Sequence, residues 1–199
     1  MVNRQLRYSA IELFGTLGST KDNLAKMIIL EKKRFISMLA GILIQETEGD
    51  YPMKILILRA INNFIFQNAK DLIKEAQLIK ELQKYIDVVL DYQKGRKEAE
   101  EKGGEETPLA SVTITDDQQQ LAARSLFVIK TSLNQSTYSQ KEEIIKQFGW
   151  ERLKQCFDVE LMVQPGSEGK FNKDDFKRLS VAILQNLLLN STSECLKNQ

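Results

Sequence analysis

At 199 residues, 42% hydrophobic and 28% charged, the chain has the composition of a folded globular protein long enough to bury a sizeable core. Its 28 basic and 27 acidic side chains leave a net charge of +1, without the concentrated basic surface that sequence-independent nucleic-acid binding requires. Histidine is absent, which removes imidazole bases, Ser-His and Cys-His nucleophile pairs and imidazole metal sites together.

The two cysteines, Cys156 and Cys195, are far apart within or beside helical patterns, so neither a disulfide framework nor a zinc site is indicated. No run approaches the roughly 18 apolar residues of a membrane span, and Glu12 interrupts the N-terminal run where a signal peptide would need an apolar core. These features predict an intracellular protein, cytoplasmic or nuclear and not secreted, with no membrane partner.

In chain order, Leu6, Ala10, Leu13, Phe14 and Leu17 form an apolar helical stripe, and Gly15 and Gly18 weaken the end of that helix, which is expected to stop near Gly18. Leu24 to Leu30 restarts a short periodic segment. Phe35, Met38, Leu39, Ile42 and Leu43 form the stripe of a longer helix. The GDYP breaker at 49–52 suits Pro52 to the first position of the next helix, and 55–66 is so apolar that this helix is expected to be buried on most of its circumference. Gln67, Asn68 and Lys70 turn the chain. A long helical pattern follows over 72–92, with a possible break near Gln77.

Residues 94–118, KGRKEAEEKGGEETPLASVTITDDQ, read as a mobile charged insertion, with a strand at Ser111 to Thr115 as a minor alternative. The helical pattern resumes over 119–133, with Leu121, Ala122, Ser125, Leu126, Val128 and Ile129 facing inward. After a polar turn and a short segment at 144–148, Gly149 breaks the chain. Trp150 is read as a packing residue opening a helix to Leu161, with Cys156 as inert core. A shorter loop at 164–171 precedes the last helix, whose N-terminus Asp174 and Asp175 suit electrostatically; it is expected to run to about Leu189, followed by a turn and a tail.

Four units align on their helix ends: ELFGTLGSTKDN (12–23), RAINNFIFQNAKD (59–71), RSLFVIKTSLNQS (124–136) and AILQNLLLNSTSE (182–194). Thr16, Asn63, Val128 and Asn186 occupy equivalent positions in them, and intervening segments carry a second apolar helix. A helical pair that cannot bury its apolar face alone signals a stacked array. The pattern resembles the armadillo repeat family. That resemblance implies an all-α fold, a right-handed superhelical armadillo-like solenoid of about three to four repeats, occupying 1–199 as a single domain.

In peptide-binding members of the family, Trp and Asn rungs on the third helices line a concave groove, and the Asn side chains clamp a ligand backbone. Here Asn63 and Asn186 match the Asn rung, whereas Thr16 and Val128 depart from it; Glu12, Arg59, Arg124 and Ala182 stand where Trp would be. The resemblance implies a concave partner surface with charged rungs, made by Glu12, Thr16, Arg59, Asn62, Asn63, Arg124 and Asn186. Arg59 and Arg124 are either partner-facing anchors or arginines that snorkel or pair with a neighbouring carboxylate. Asn62 and Asn63, midway along an apolar helix, need hydrogen-bond partners.

The reading that follows is a non-enzymatic protein–protein interaction scaffold, a structural subunit or segment of a larger assembly, binding one or more protein partners. Its open ends would continue a longer array or dock on other subunits. The alternative is a transport adaptor holding peptide cargo in the groove. No catalytic residue, cofactor or metal is expected, and no nucleic-acid partner.

Overall fold

The computed structural model describes residues 3–20, 35–46, 49–65, 76–101, 113–134, 136–162 and 172–195. They form eight helices and no strand: α1 (Arg4–Gly18), α2 (Phe35–Gln45), α3 (Tyr51–Ile65), α4 (Ala76–Glu101), α5 (Asp116–Asn134), α6 (Tyr138–Phe148), α7 (Trp150–Cys156) and α8 (Asp175–Cys195). Among the described residues, no helix is long and apolar enough to cross a membrane.

Helix starts follow local side-chain chemistry. Asn3 accepts a hydrogen bond from the Gln5 amide at 3.0 Å ahead of α1. Thr115 and Gln118 exchange reciprocal bonds ahead of α5, and the Thr137 amide donates to Gln140 Oε1 at 2.9 Å ahead of α6. Each satisfies amides that a helix start leaves unpaired.

Alternate helices pack on one another. α1 lies against α3, α3 against α5 and α5 against α8; behind this row, α2 packs on α3 and α4, α4 on α5 and α6, and α6 on α5, α7 and α8. The α5 helix is the hub. Ala122, Ala123, Ser125 and Ser132 are buried on it, and small side chains let neighbouring helices approach from several sides. Its buried serines donate within the helix, Ser125 Oγ to the Leu121 carbonyl and Ser132 Oγ to the Val128 carbonyl, both at 2.8 Å. As expected from its apolar run, α3 is buried on most of its circumference, from Met53 through Leu58 and again at Ala60, Ile61, Phe64 and Ile65.

The α1 face differs from the expected one. Leu6 and Leu13 are 63% and 61% exposed, and Ile11, Gly15 and Gly18 are buried instead. A Cβ on Gly15 would lie 3.2 Å from Ala60 Cβ, and one on Gly18 would lie 3.0 Å from the Phe64 ring. The two glycines therefore set how closely α1 approaches α3, a separation a leucine stripe could not match. Phe14 completes the junction, with ring centroids 4.9 Å from Phe35 and 5.6 Å from Phe64. Polar ties fix the same corner: Arg4 donates to both Asp50 oxygens at 2.9 and 2.7 Å, and Arg7 pairs with Glu46.

Other expectations shift too. In α2 the buried face is Phe35, Ile36, Leu39, Ala40 and Leu43, leaving Met38 exposed. Both ends of the 94–118 segment are helical, since α4 continues to Glu101 and α5 begins at Asp116; its middle, 102–112, lies outside the described residues, and 113–115 form no strand. The short segment at Leu24 to Leu30, the turn at Gln67 to Lys70, the pattern at 72–75 and the 164–171 loop also lie outside them. The α4 helix is continuous from Ala76, and the residues before it, where a break near Gln77 would fall, lie outside the described ones. The α8 helix runs past Leu189 to Cys195.

Gly149, at φ 96°, separates α6 from α7 in a conformation that favours glycine. The α7 helix ends at Cys156 rather than reaching Leu161, and Trp150 is 51% exposed, not packed. Residues 159–162 run out of helix because their backbone pairs elsewhere. The Leu161 amide donates to the Lys173 carbonyl at 2.9 Å, Gln93 Nε2 to the Glu160 carbonyl at 2.6 Å, and the Met162 backbone exchanges bonds with Gln119. Arg152 ties α7 to α4 through Asp87, with contacts of 2.6 and 3.0 Å.

Candidate functional site

The row α1, α3, α5 and α8 carries three depressions that share lining residues. The first, about 260 Å³, lies between α1 and α3 and includes Glu12, Gly15, Thr16, Arg59 and Asn63. The second, about 140 Å³, lies between α3 and α5, lined by Leu58, Arg59, Asn62, Asn63, Arg124 and Phe127. The third, about 420 Å³, lies between α5 and α8 and includes Gln120, Arg124, Phe127, Asp175, Arg178 and Ala182. Arg59 and Asn63 join the first two; Arg124 and Phe127 join the second and third.

Helical spacing explains which side chains reach this surface. Glu12 and Thr16, Arg59 and Asn63, and Gln120 and Arg124 are each four residues apart, so each pair stands on one face of its helix. Neighbouring apolar residues on α3, such as Ile57 and Ile61, turn into the core.

Electrostatics set the middle of the groove apart. Burial first, and then the neighbouring Arg59 charge, hold the Arg124 guanidinium below its ordinary range, with Asp175 acting in the opposite direction. Among the described residues neither Arg59 nor Arg124 forms an ion pair with a carboxylate. The Asn62 Oδ1 atom is buried and finds no donor among the described residues.

Of the seven residues expected from the sequence, six line this groove: Glu12, Thr16, Arg59, Asn62, Asn63 and Arg124. Asn186 does not line it; that residue is half-buried, and its backbone carbonyl accepts from the Lys141 ammonium at 2.8 Å. Asn63 has already committed one amide hydrogen, donating from Nδ2 to the Gly15 carbonyl at 2.9 Å. Thr16 Oγ1 donates to the Glu12 carbonyl at 2.9 Å within α1. Arg178, Phe127 and Asp175 were not anticipated. Their signal is present in the sequence, since Asp175, Arg178 and Ala182 share a helical face and Phe127 follows Arg124 by three residues.

A separate depression of about 310 Å³ on the other side of α3 includes Lys54, Glu81, Lys84 and Tyr85. Its charges are matched. Lys84 pairs with Glu81 at 2.8 Å and Lys54 sits 5.2 Å from the Tyr85 ring centroid, while burial first and Glu81 second push the Tyr85 hydroxyl above its usual range. Among the described residues no group of three or more His, Cys, Asp or Glu side chains is placed to hold a metal ion.

No protein-family model, curated protein or solved structure matches the chain.

Proposed function

We propose that the chain is a non-enzymatic protein–protein interaction scaffold, built as an armadillo-like solenoid of three to four repeats, that holds a partner segment along the face made by α1, α3, α5 and α8. The observation that carries this reading is the row of three linked depressions, with Arg59 and Arg124 lining the central one and, among the described residues, neither in an ion pair with a carboxylate. A purely structural groove would be expected to pair or separate those charges, because two like charges in a partly desolvated site oppose folding. The packing of alternate helices against one another supports the solenoid part of the proposal. A place in a larger assembly follows as the specific form of such a scaffold. The adaptor reading draws less support, because one of its two clamping asparagines is engaged by Gly15 and the other is away from the groove.

Site-specific photo-crosslinking tests the proposal. Benzoylphenylalanine placed at Thr16 and at Asn172, at opposite ends of the groove, should give adducts with the same partner in cells. The same group at Met38 or Val88, exposed on α2 and α4, should not. Adducts of equal yield from all four positions, or from the control positions alone, would refute the groove as the partner site.

A further inference from the structure

The positive centre of the groove narrows the partner's chemistry, on the reading above that this face receives a partner segment. Arg59 projects from α3 and Arg124 from α5 into the 140 Å³ depression, whose remaining lining residues are uncharged. Two carboxylates stand in the adjoining depressions, Glu12 with Arg59 in the first and Asp175 with Arg124 in the third, and among the described residues neither forms an ion pair with these arginines. A ligand that pairs with both guanidinium groups at once brings close to two negative charges. A single carboxylate supplies one and leaves the second guanidinium uncompensated. A phosphate monoester carries about −1.5 to −2 at neutral pH and three acceptor oxygens, which suit the forked donors of two arginines at once.

An extended polypeptide with a phosphorylated side chain supplies such a group along the length of the groove, and Phe127, shared by two of the depressions, offers an aromatic surface for the flanking residues. We propose that Arg59 and Arg124 form a recognition pocket for a phosphorylated serine or threonine in a partner segment that lies along the groove.

Fluorescence anisotropy of the full chain tests this with three labelled degenerate peptide pools, identical except for phosphoserine, serine or glutamate at the centre. The phosphoserine pool should bind about ten-fold or more tightly than either of the others. Arg59→Gln and Arg124→Gln should each bring that preference down to about two-fold, whereas Arg59→Lys and Arg124→Lys should retain part of it because the charge survives without the fork. Both glutamine variants remove a repelling charge, so their thermal unfolding should lie at or above that of the wild type and show that the loss is not misfolding. Equal binding of the three pools, or a preference that survives both glutamine substitutions, overturns the proposal. So does equally tight, arginine-dependent binding to phosphatidylserine vesicles, which would assign the site to a membrane surface. Phosphatase treatment before crosslinking separates this proposal from the scaffold reading. Adducts at Thr16 and Asn172 that persist after dephosphorylation leave the scaffold standing and remove the phosphate.

Discussion

Two helical glycines in this chain should respond unequally to the same substitution. Gly41, inside α2, has nothing within 4 Å of the position a Cβ would take, so Gly41→Ala gains only the helix preference of alanine, about 0.5–1 kcal/mol. Gly15, inside α1, would place its Cβ 3.2 Å from Ala60 Cβ and 3.4 Å from Ala60 Cα. The second of these is backbone of α3 and cannot rotate aside, so Gly15→Ala should return little or none of that gain. Gly15→Leu goes further. Overpacking costs about 1–3 kcal/mol. Pushing α1 away also breaks the 2.9 Å bond from Asn63 to the Gly15 carbonyl, about 1 kcal/mol, which offsets the alanine-like helix gain of similar size. The net loss is therefore about 1–3 kcal/mol, or about 2–12 °C in Tm for a chain of this length, against a rise of about 1–4 °C for Gly41→Ala. Thermal and urea unfolding followed by circular dichroism would read both. A Gly15→Leu variant as stable as the wild type, or a Gly15→Ala variant gaining as much as Gly41→Ala, would mean that α1 does not close on α3 through its glycines.

Lys141 is 1% exposed and its ammonium donates to the Asn186 carbonyl at 2.8 Å, so Lys141→Ala should cost about 2–4 kcal/mol in urea unfolding, and Lys141→Met, which keeps the apolar stem, should recover most of it. Gly149→Ala forces a side chain into φ 96°, and the urea midpoint should report a loss of about 1–3 kcal/mol. Burial pushes the Cys156 thiol from its ordinary value near 9 up to about 12, so the folded state keeps the proton that the unfolded chain releases first. The stability from this group is full below about pH 9 and is lost as pH rises toward 12, with a slope of up to about 1.4 kcal/mol per pH unit. Stability measured between pH 9 and 11 should fall more steeply for the wild type than for Cys156→Ala, and equal slopes would contradict the burial of the thiol.

Much of the helical layout follows from patterns one or two turns long. The GDYP breaker, the near-continuous apolar run of α3 and the Leu121 to Ile129 face of α5 all act within their own helix, and all appear where periodicity puts them. The α1 face does not. Leu6, Ala10, Leu13 and Leu17 make the more hydrophobic stripe, yet the buried line runs through Ile11, Gly15 and Gly18, because closeness of approach to Ala60 and Phe64 outweighs side-chain hydrophobicity there. That information belongs to α3, which lies on the other side of a long connection. The same reason explains α7. Val159 and Leu161 are apolar enough to extend a helix, but Gln93 and Gln119 offer the 159–162 backbone partners that no local pattern discloses.

The groove divides along the same line. Glu12 with Thr16 and Arg59 with Asn63 follow from the resemblance to armadillo rungs, and they share a depression because residues four apart stand on one helix face. Asn186 was placed by treating the end of α8 as equivalent to the ends of α1, α3 and α5. Because α8 continues unbroken to Cys195, its end does not set its register against α5, and the surface it contributes lies earlier, at Asp175, Arg178 and Ala182. The most informative feature, the placing of Arg59 and Arg124 in one depression, was beyond reach because they are separated by 64 intervening residues. A chain under selection for stability alone would gain by replacing either arginine with glutamine or glutamate. Retaining both at the centre of a groove is the arrangement expected where an outside anion completes the charge balance, and on the proposal above Arg124→Gln should fold at least as well as the wild type while losing most of its preference for a phosphorylated segment.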